Sequence, residues 1–147
     1  MRMYSSSEDK EIVRRVFEAF DAGDVDTLTE LMSPHFVAHS MPPGFSQGQQ
    51  GFLELASHWA AGLSDIDTTL DDLLAAEDGK VVARITTRAT HTGEVFGILP
   101  SNRKLTFTAI EIYAVADGKV TEWWAEINLD DLFHQPEDDT STLQPEG

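Results

Sequence analysis

Hydrophobic residues in the first part of the chain recur every three or four positions, as they do on one face of a helix. The run from Ile12 to Phe20 follows hydroxyl and acidic residues at 5–9, which are typical of a helix start, and it ends at Gly23. Asp24 begins a second, short helix, and residues 52–63 have the spacing of a third. Between these two helices, residues 35–40 alternate like a short strand.

Apolar and polar positions alternate from residue 66 onwards, which is typical of β-strands. The runs 66–76 and 80–90 flank a Glu-Asp-Gly turn, and two later strands flank an Asp-Gly turn at 117–118 before a short helix. Helices gathered early and strands gathered late predict an α+β domain. We expect a curved, mainly antiparallel sheet, wrapped by three N-terminal helices around a cone-shaped pocket, in a domain of residues 1–135. Residues 136–147 are acidic and poor in apolar side chains, which predicts a flexible tail.

The last strand presents different side chains on its two faces. Trp124, Glu126 and Asn128 share one face, and Trp123 lies on the other. An indole, a carboxylate and an amide in a row fit the wall of a half-dry pocket. The same row also fits an exposed sheet face, so the pattern by itself leaves both interpretations open.

Charge and composition exclude several classes of partner. The 147 residues carry a formal net charge of −16, which argues against nucleic acid and anionic membranes because both are bound through clustered Lys and Arg. The sequence has no cysteine, no apolar run long enough to span a membrane and no apolar core of a signal peptide near its start. We therefore expect a soluble, cytoplasmic protein whose partner is a hydrophobic small molecule.

Several short segments together resemble one family. They are Phe36-Val37-Ala38-His39, Thr90-His91-Thr92-Gly93-Glu94, Phe96-Gly97-Ile98 with Pro100, Gly118-Lys119-Val120, Glu122-Trp123-Trp124 and Leu132-Phe133-His134-Gln135. With these segments the chain resembles the SnoaL-like polyketide cyclases of the nuclear transport factor 2 superfamily, from about Glu11 to Gln135. The resemblance implies a cystatin-like α+β barrel that works without a cofactor, as an oligomer, and closes a ring in a hydrophobic substrate.

The sequence departs from this family at two important positions. The resemblance implies an acid/base aspartate four residues after the tryptophan of the last strand, where this chain has Asn128, and a histidine just before that tryptophan, where it has Trp123. An amide has no useful pKa and cannot take a proton from carbon. The family's aldol mechanism therefore does not carry over to this chain unchanged.

Acid/base chemistry could instead use other residues near the same strand. We predict Glu126 as the acid or base, His39 and His91 as complementary groups, and Asn128 as a donor to an oxyanion. Arg84 and Thr86 share a face of the third long strand and are predicted to point inward, where Arg84 would need a carboxylate partner. The predicted substrate-binding residues are Trp124, Tyr113, Glu111, Arg84, Thr86, His58, Trp59 and Phe96. No metal-ligand spacing is present, so no metal is expected.

Two other interpretations remain open. A pocket of aromatic and aliphatic side chains could close a ring by holding the substrate in a reactive conformer, and the same pocket could belong to a ligand-binding domain without activity. An epoxide hydrolase or isomerase is a further alternative. A buried Glu126 would favour acid/base catalysis and an exposed one would favour the other interpretations. We also expect a homodimer formed through the outer face of the sheet.

Overall fold

The computed structural model describes residues 5–134, which form helices packed against one side of a five-stranded sheet. The helices are α1 (Ser6–Ala22), α2 (Val25–Leu31), α3 (Gln49–Gly62) and α4 (Asp130–Phe133). The strands are β1 (Met32–Ala38), β2 (Leu63–Ala75), β3 (Lys80–His91), β4 (Lys104–Ala116) and β5 (Lys119–Asn128). The predicted α+β class and its curved sheet are confirmed. The predicted tail at 136–147 lies outside the described residues.

The helix boundaries follow the predicted capping residues. The Ser5 side chain accepts a hydrogen bond from the backbone N–H of Glu8, and Asp24 accepts one from Thr27 at 3.1 Å. Gly23 closes α1 with a φ of 66°, a left-handed conformation that glycine adopts without strain. These caps place α1 and α2 as a tight pair whose apolar faces, including Val13 and Leu28, are completely buried.

The sheet has the strand order β1-β5-β4-β3-β2, in which the last four strands of the chain pair antiparallel. The short first strand pairs parallel with β5 at the edge and begins at Met32, three residues before the predicted start. Pro34 fits this position because an edge strand does not need every backbone N–H for pairing. Strand β2 likewise begins earlier than predicted, at Leu63, directly after α3.

The hairpin between β4 and β5 contains an irregularity that decides which side chains point inward. Asp117 and Gly118 both have positive φ, as a two-residue hairpin turn requires, and Val115 pairs with Val120. Beyond that pair, Ala114 is opposite Glu122, so Thr121 is an extra residue in β5. This is a β-bulge, and it moves every later residue of β5 by one position relative to β4. The inner positions of the two strands are consequently Glu111 and Tyr113 on β4 and Trp123 on β5.

Candidate active site

A cavity of about 690 Å³ lies between the inner face of the sheet and the helices. Helix α1 contributes Phe17 and Phe20 to its wall, and α3 contributes Phe52 and Trp59. The exposed side chains of Ile127 and Phe133 also line it, which places them at its mouth. A pocket of this size and apolar lining is suited to a hydrophobic small molecule.

Glu111 is the most deeply buried carboxyl group of the cavity wall, with 6% of its surface exposed. The Tyr113 hydroxyl donates a 2.6 Å hydrogen bond to Glu111 Oε1, and the indole N–H of Trp123 donates one of 3.0 Å to the same oxygen. Burial raises the pKa of Glu111, while these two hydrogen bonds oppose the rise. Both described bonds end on Oε1, so Oε2 is the oxygen outside them on which a proton can be held.

Asp21, near the end of α1, is a second carboxyl group in the cavity wall. Burial raises the pKa of Asp21 to about 6, Thr68 lowers it by hydrogen bonding, and the charge of Asp67 raises it. Asp21 and Glu111 also interact electrostatically, since the charge of Asp21 adds to the rise in the pKa of Glu111. The cavity thus contains two carboxyl groups whose pKa values burial raises, as is common for catalytic acids and bases.

Comparison with known proteins places the chain in a family. A model of the SnoaL-like polyketide cyclases matches residues 10–136. The chain belongs to this family.

The chain is also similar to individual proteins. An uncharacterized protein of Mycobacterium tuberculosis is 34% identical over 92 residues, which cover 59% of this chain and 70% of that protein. Nogalonic acid methyl ester cyclase of Streptomyces nogalater is 23% identical over 106 residues, covering 71% and 78% of the two chains. Among solved structures, TsrD from Streptomyces laurentii superimposes with a TM-score of 0.81 at 26% identity, covering 92% of this chain and 99% of that one.

In this SnoaL-like chain, the predicted residues of β5 lie outside the cavity. Glu126 and Asn128 are exposed, and Trp124 stacks on the ring of His39 with centroids 4.8 Å apart. Asn128 accepts a hydrogen bond from the backbone of Asp130 at the start of α4. The prediction that this face lines the cavity is wrong because the bulge at Thr121 turns the other face inward. By the criterion set from the sequence, the exposed Glu126 argues against acid/base chemistry at that residue.

His39 and the two polar residues of β3 also lie on the outer face. His39 is 3.0 Å from Glu122 Oε1 through its Nε2 atom. Arg84 donates to Asp72 at 2.7 Å, and Thr86 donates to Asp71 at 2.7 Å. The expectation that Arg84 and Thr86 point inward is therefore wrong, because the carboxylate partners of Arg84 are on β2 and face solvent.

His91 is fully buried at the end of β3 and is not part of the cavity wall. Its Nδ1 atom is 3.2 Å from Ser101 Oγ, and its backbone carbonyl accepts a hydrogen bond from Asn102. These contacts attach the loop between β3 and β4 to the end of the sheet. His91 therefore holds this loop in place and does not line the cavity.

The remaining predicted residues do line the cavity. They are Tyr113, Glu111, His58, Trp59 and Phe96. His58 Nε2 accepts a 3.0 Å hydrogen bond from the backbone N–H of Phe96, which has a positive φ of 50°. The bond holds the Phe96 ring against His58 and Trp59, with centroid distances of 5.2 Å and 6.3 Å.

Asp21 is an ionisable cavity residue that was not predicted, although the sequence contains a signal for it. It follows Phe17 by four residues, so it lies on the apolar face of α1 where a charged side chain is unexpected. Within residues 5–134, no group of three or more His, Asp or Glu side chains is arranged to hold a metal ion. No helix in that range is long and apolar enough to cross a membrane.

Proposed function

We propose that the protein closes a ring in a hydrophobic polyketide-type molecule without a cofactor, using Asp21 and Glu111 for acid/base chemistry. The observation that supports this proposal is the presence of two carboxyl groups with raised pKa values in one apolar cavity. Similarity to nogalonic acid methyl ester cyclase supports the same class of reaction.

The two carboxyl groups have complementary roles in this proposal. Asp21, with a pKa of about 6, is mostly ionised at neutral pH and accepts a proton from the substrate atom that attacks a carbonyl carbon. Glu111, whose pKa burial also raises, holds its proton on Oε2 and gives it to the carbonyl oxygen. One bond forms between the attacking atom and the carbonyl carbon, the π bond of the carbonyl group breaks, and its electron pair takes the proton from Glu111. Each carboxyl group returns to its starting state by proton exchange with solvent after product release.

The aromatic walls contribute by selecting the conformation of the substrate. Phe96 and Trp59 lie on one side of the cavity and Phe17 and Phe20 belong to α1 on another. Confining a flexible chain with its reacting atoms in contact removes part of the entropic barrier to ring closure. Acid/base catalysis and conformational selection then act together on one bound molecule.

The test compares ring closure by three single variants, with nogalonic acid methyl ester as the first substrate and chromatography as the readout. We expect Glu111→Gln and Asp21→Asn each to lower the rate by about 100-fold or more, since general acid/base groups contribute on this scale. The control, Glu126→Gln, changes an exposed carboxylate and should keep the parental rate. Full rates in both cavity variants would exclude acid/base catalysis by these residues and leave conformational selection.

A further inference from the structure

The described cavity lining contains acidic residues but no basic side chain of Lys or Arg. Two of the lining residues, Asp21 and Glu111, are acidic, and the described lining contains neither Lys nor Arg. The arginines in described ion pairs lie elsewhere, for example Arg84 with Asp72 and Arg103 with Asp131. Neither cavity carboxyl group therefore has a cationic partner among the ion pairs of residues 5–134.

The histidine of the lining does not supply a positive charge either. His58 Nε2 accepts the hydrogen bond from the backbone N–H of Phe96, so this nitrogen carries no proton. A histidine ring with one unprotonated nitrogen is neutral. The polar donors near Glu111, the Tyr113 hydroxyl and the Trp123 indole, are uncharged as well.

The carboxyl group of Glu111 has one oxygen outside its described hydrogen bonds. Glu111 is 94% removed from solvent, it lines the cavity, and both of its described hydrogen bonds end on Oε1. Oε2 is then the oxygen left to meet a bound molecule. In the proposed reaction Glu111 keeps its proton until the carbonyl oxygen takes it, so the charge that needs a partner is on Asp21, and a ligand that brings a positive charge is favoured over a neutral or anionic one.

We propose that the substrate of this cavity is a hydrophobic compound with a basic nitrogen, bound as an ammonium ion that pairs with ionised Asp21 while Glu111 keeps its proton. Two aromatic residues of the lining lie near these acids, since Phe17 is one turn before Asp21 on α1 and Tyr113 is hydrogen-bonded to Glu111, and aromatic rings attract cations. The proposal rests on the proposed function in taking this cavity as the substrate site. It is compatible with the role of Asp21 as a base, because transfer of one ammonium proton to Asp21 leaves a neutral amine that can attack a carbonyl carbon.

The test uses three inert probes that share one ring system: naphthylethylamine, naphthylethanol and naphthylacetate. Binding is measured by calorimetry and by tryptophan fluorescence, at low salt and at high salt. We expect the amine to bind about tenfold more tightly than the alcohol, and naphthylacetate to bind most weakly, because only the amine can form an ion pair with Asp21. An alcohol that binds as tightly as the amine would overturn the proposal.

A matched pair of double variants separates a local effect from the large negative charge of the whole protein. Asp21→Asn with Glu111→Gln removes two cavity carboxylates, whereas Glu18→Gln with Glu126→Gln removes two exposed ones and leaves the same formal net charge. We expect the preference for the amine to disappear in the cavity variant, to persist in the surface variant and to remain at high salt. If the preference for the amine survives in the cavity variant, or if high salt abolishes it in the parent protein, it arises from general surface charge. Either result would overturn the proposal.

The comparison of the three probes and the comparison of the two double variants both measure binding, so neither depends on catalytic turnover. If the cavity variant does not fold, the ranking of the three probes on the parent protein at high salt decides the proposal. Loss of ring closure in Glu111→Gln together with equal binding of amine and alcohol would sustain the proposed function and exclude the amine. Preferential binding of the amine with no ring closure on any substrate would sustain the amine proposal and exclude the proposed function.

Discussion

The side chain of Asp21 lowers the stability of the fold when it is ionised, and in the proposed function it is the base of the active site. It follows Phe17 on the apolar face of α1, and burial is the main reason that its pKa rises to about 6. The folded state therefore binds the proton of Asp21 more tightly than the unfolded chain does. The stability that this proton contributes is complete below about pH 4 and is lost as the pH rises through about 6.

The first prediction concerns Asp21→Asn and the pH dependence of stability. The amide cannot ionise, so the variant should melt about 3 °C above the parent protein at pH 8, a difference on the order of 1 kcal/mol after allowance for partial exposure. At pH 4 the two proteins should melt together. Calorimetry at both pH values checks this, with Glu18→Gln on the exposed side of α1 as the control. An equal difference at both pH values would show that ionisation is not its cause.

The second prediction concerns the hydroxyl group of Tyr113. Tyr113→Phe removes the 2.6 Å hydrogen bond to Glu111, which is the larger of the two that lower the pKa of this carboxyl group. We expect the pKa of Glu111 to rise further, so that the fall in activity at alkaline pH moves to higher pH. The free energy of unfolding should decrease by about 1 kcal/mol.

A pH–rate profile and a urea titration on the Tyr113→Phe variant measure both effects. Tyrosine and phenylalanine both pack an aromatic ring edge-on against Phe17, so the ring contact is retained. A profile that does not move, with the same loss of stability, would limit Tyr113 to a structural role.

At the scale of elements, the β4–β5 hairpin explains why the sequence predicted the two faces of β5 correctly but not which of them lines the cavity. Alternation correctly grouped Glu111 with Tyr113 and separated Trp123 from Trp124, because a strand always presents alternate residues to opposite faces. If the residues of β4 and β5 are paired outwards from the turn at 117–118 without a bulge, Glu111 lies opposite Trp124. With Thr121 inserted, Glu111 is instead opposite Ala125.

The alternating pattern cannot reveal this bulge, because both faces of β5 carry a tryptophan and the pattern fits either face. The bulge is stabilised by tertiary contacts that the sequence does not display, including a hydrogen bond from the Thr121 hydroxyl to the Ala114 carbonyl. The pattern thus predicted the strand, its turn and its two faces. Which face is inner depends on register, and register is a property of two strands together.

The third prediction concerns the junction of α3 and β2. Gly62 packs directly against the loop between β3 and β4, where an added Cβ would collide with the Val95 side chain and come within 2.6 Å of the Glu94 carbonyl oxygen. Gly62→Ala should therefore lower the free energy of unfolding by about 2 kcal/mol or more. Gly48, at the other end of α3, has no atom within 4 Å of an added Cβ and is the matched control.

Urea titrations of Gly62→Ala and Gly48→Ala measure this difference. Gly48 is the N-cap of α3, where alanine is less favourable than glycine, so we expect Gly48→Ala to cost about 1 kcal/mol or less. Equal effects of the two substitutions would mean that the close contact at Gly62 relaxes without cost.

At the scale of the whole molecule, the outer face of the sheet carries apolar side chains that the chain leaves uncovered. Leu74, Val82, Ile112 and Trp124 are neighbours across four strands, and Leu74 is 57% exposed. Ile110, beside this row, is 53% exposed. A row of this kind on a sheet face is typical of a surface that meets another protein.

The fourth prediction is that this face joins two copies of the chain. Light scattering after size-exclusion chromatography should show a dimer for the parent protein, and Ile110→Lys should shift the population towards monomer because a charge is then buried at the contact. Leu99→Lys is the control, since Leu99 is 76% exposed in a loop away from the sheet. A monomeric parent protein, or an effect equal to that of Leu99→Lys, would contradict the prediction.

The extra residue in β5 also has a consequence for how such sites change over evolutionary time. Removal of one codon, that of Thr121, would restore the uninterrupted pairing and exchange the two sides of the strand. Trp124, Glu126 and Asn128 would then replace Trp123, Ala125 and Ile127 as the lining. One strand thus encodes two alternative sets of binding-site chemistry, and a change in length, rather than any substitution, selects between them.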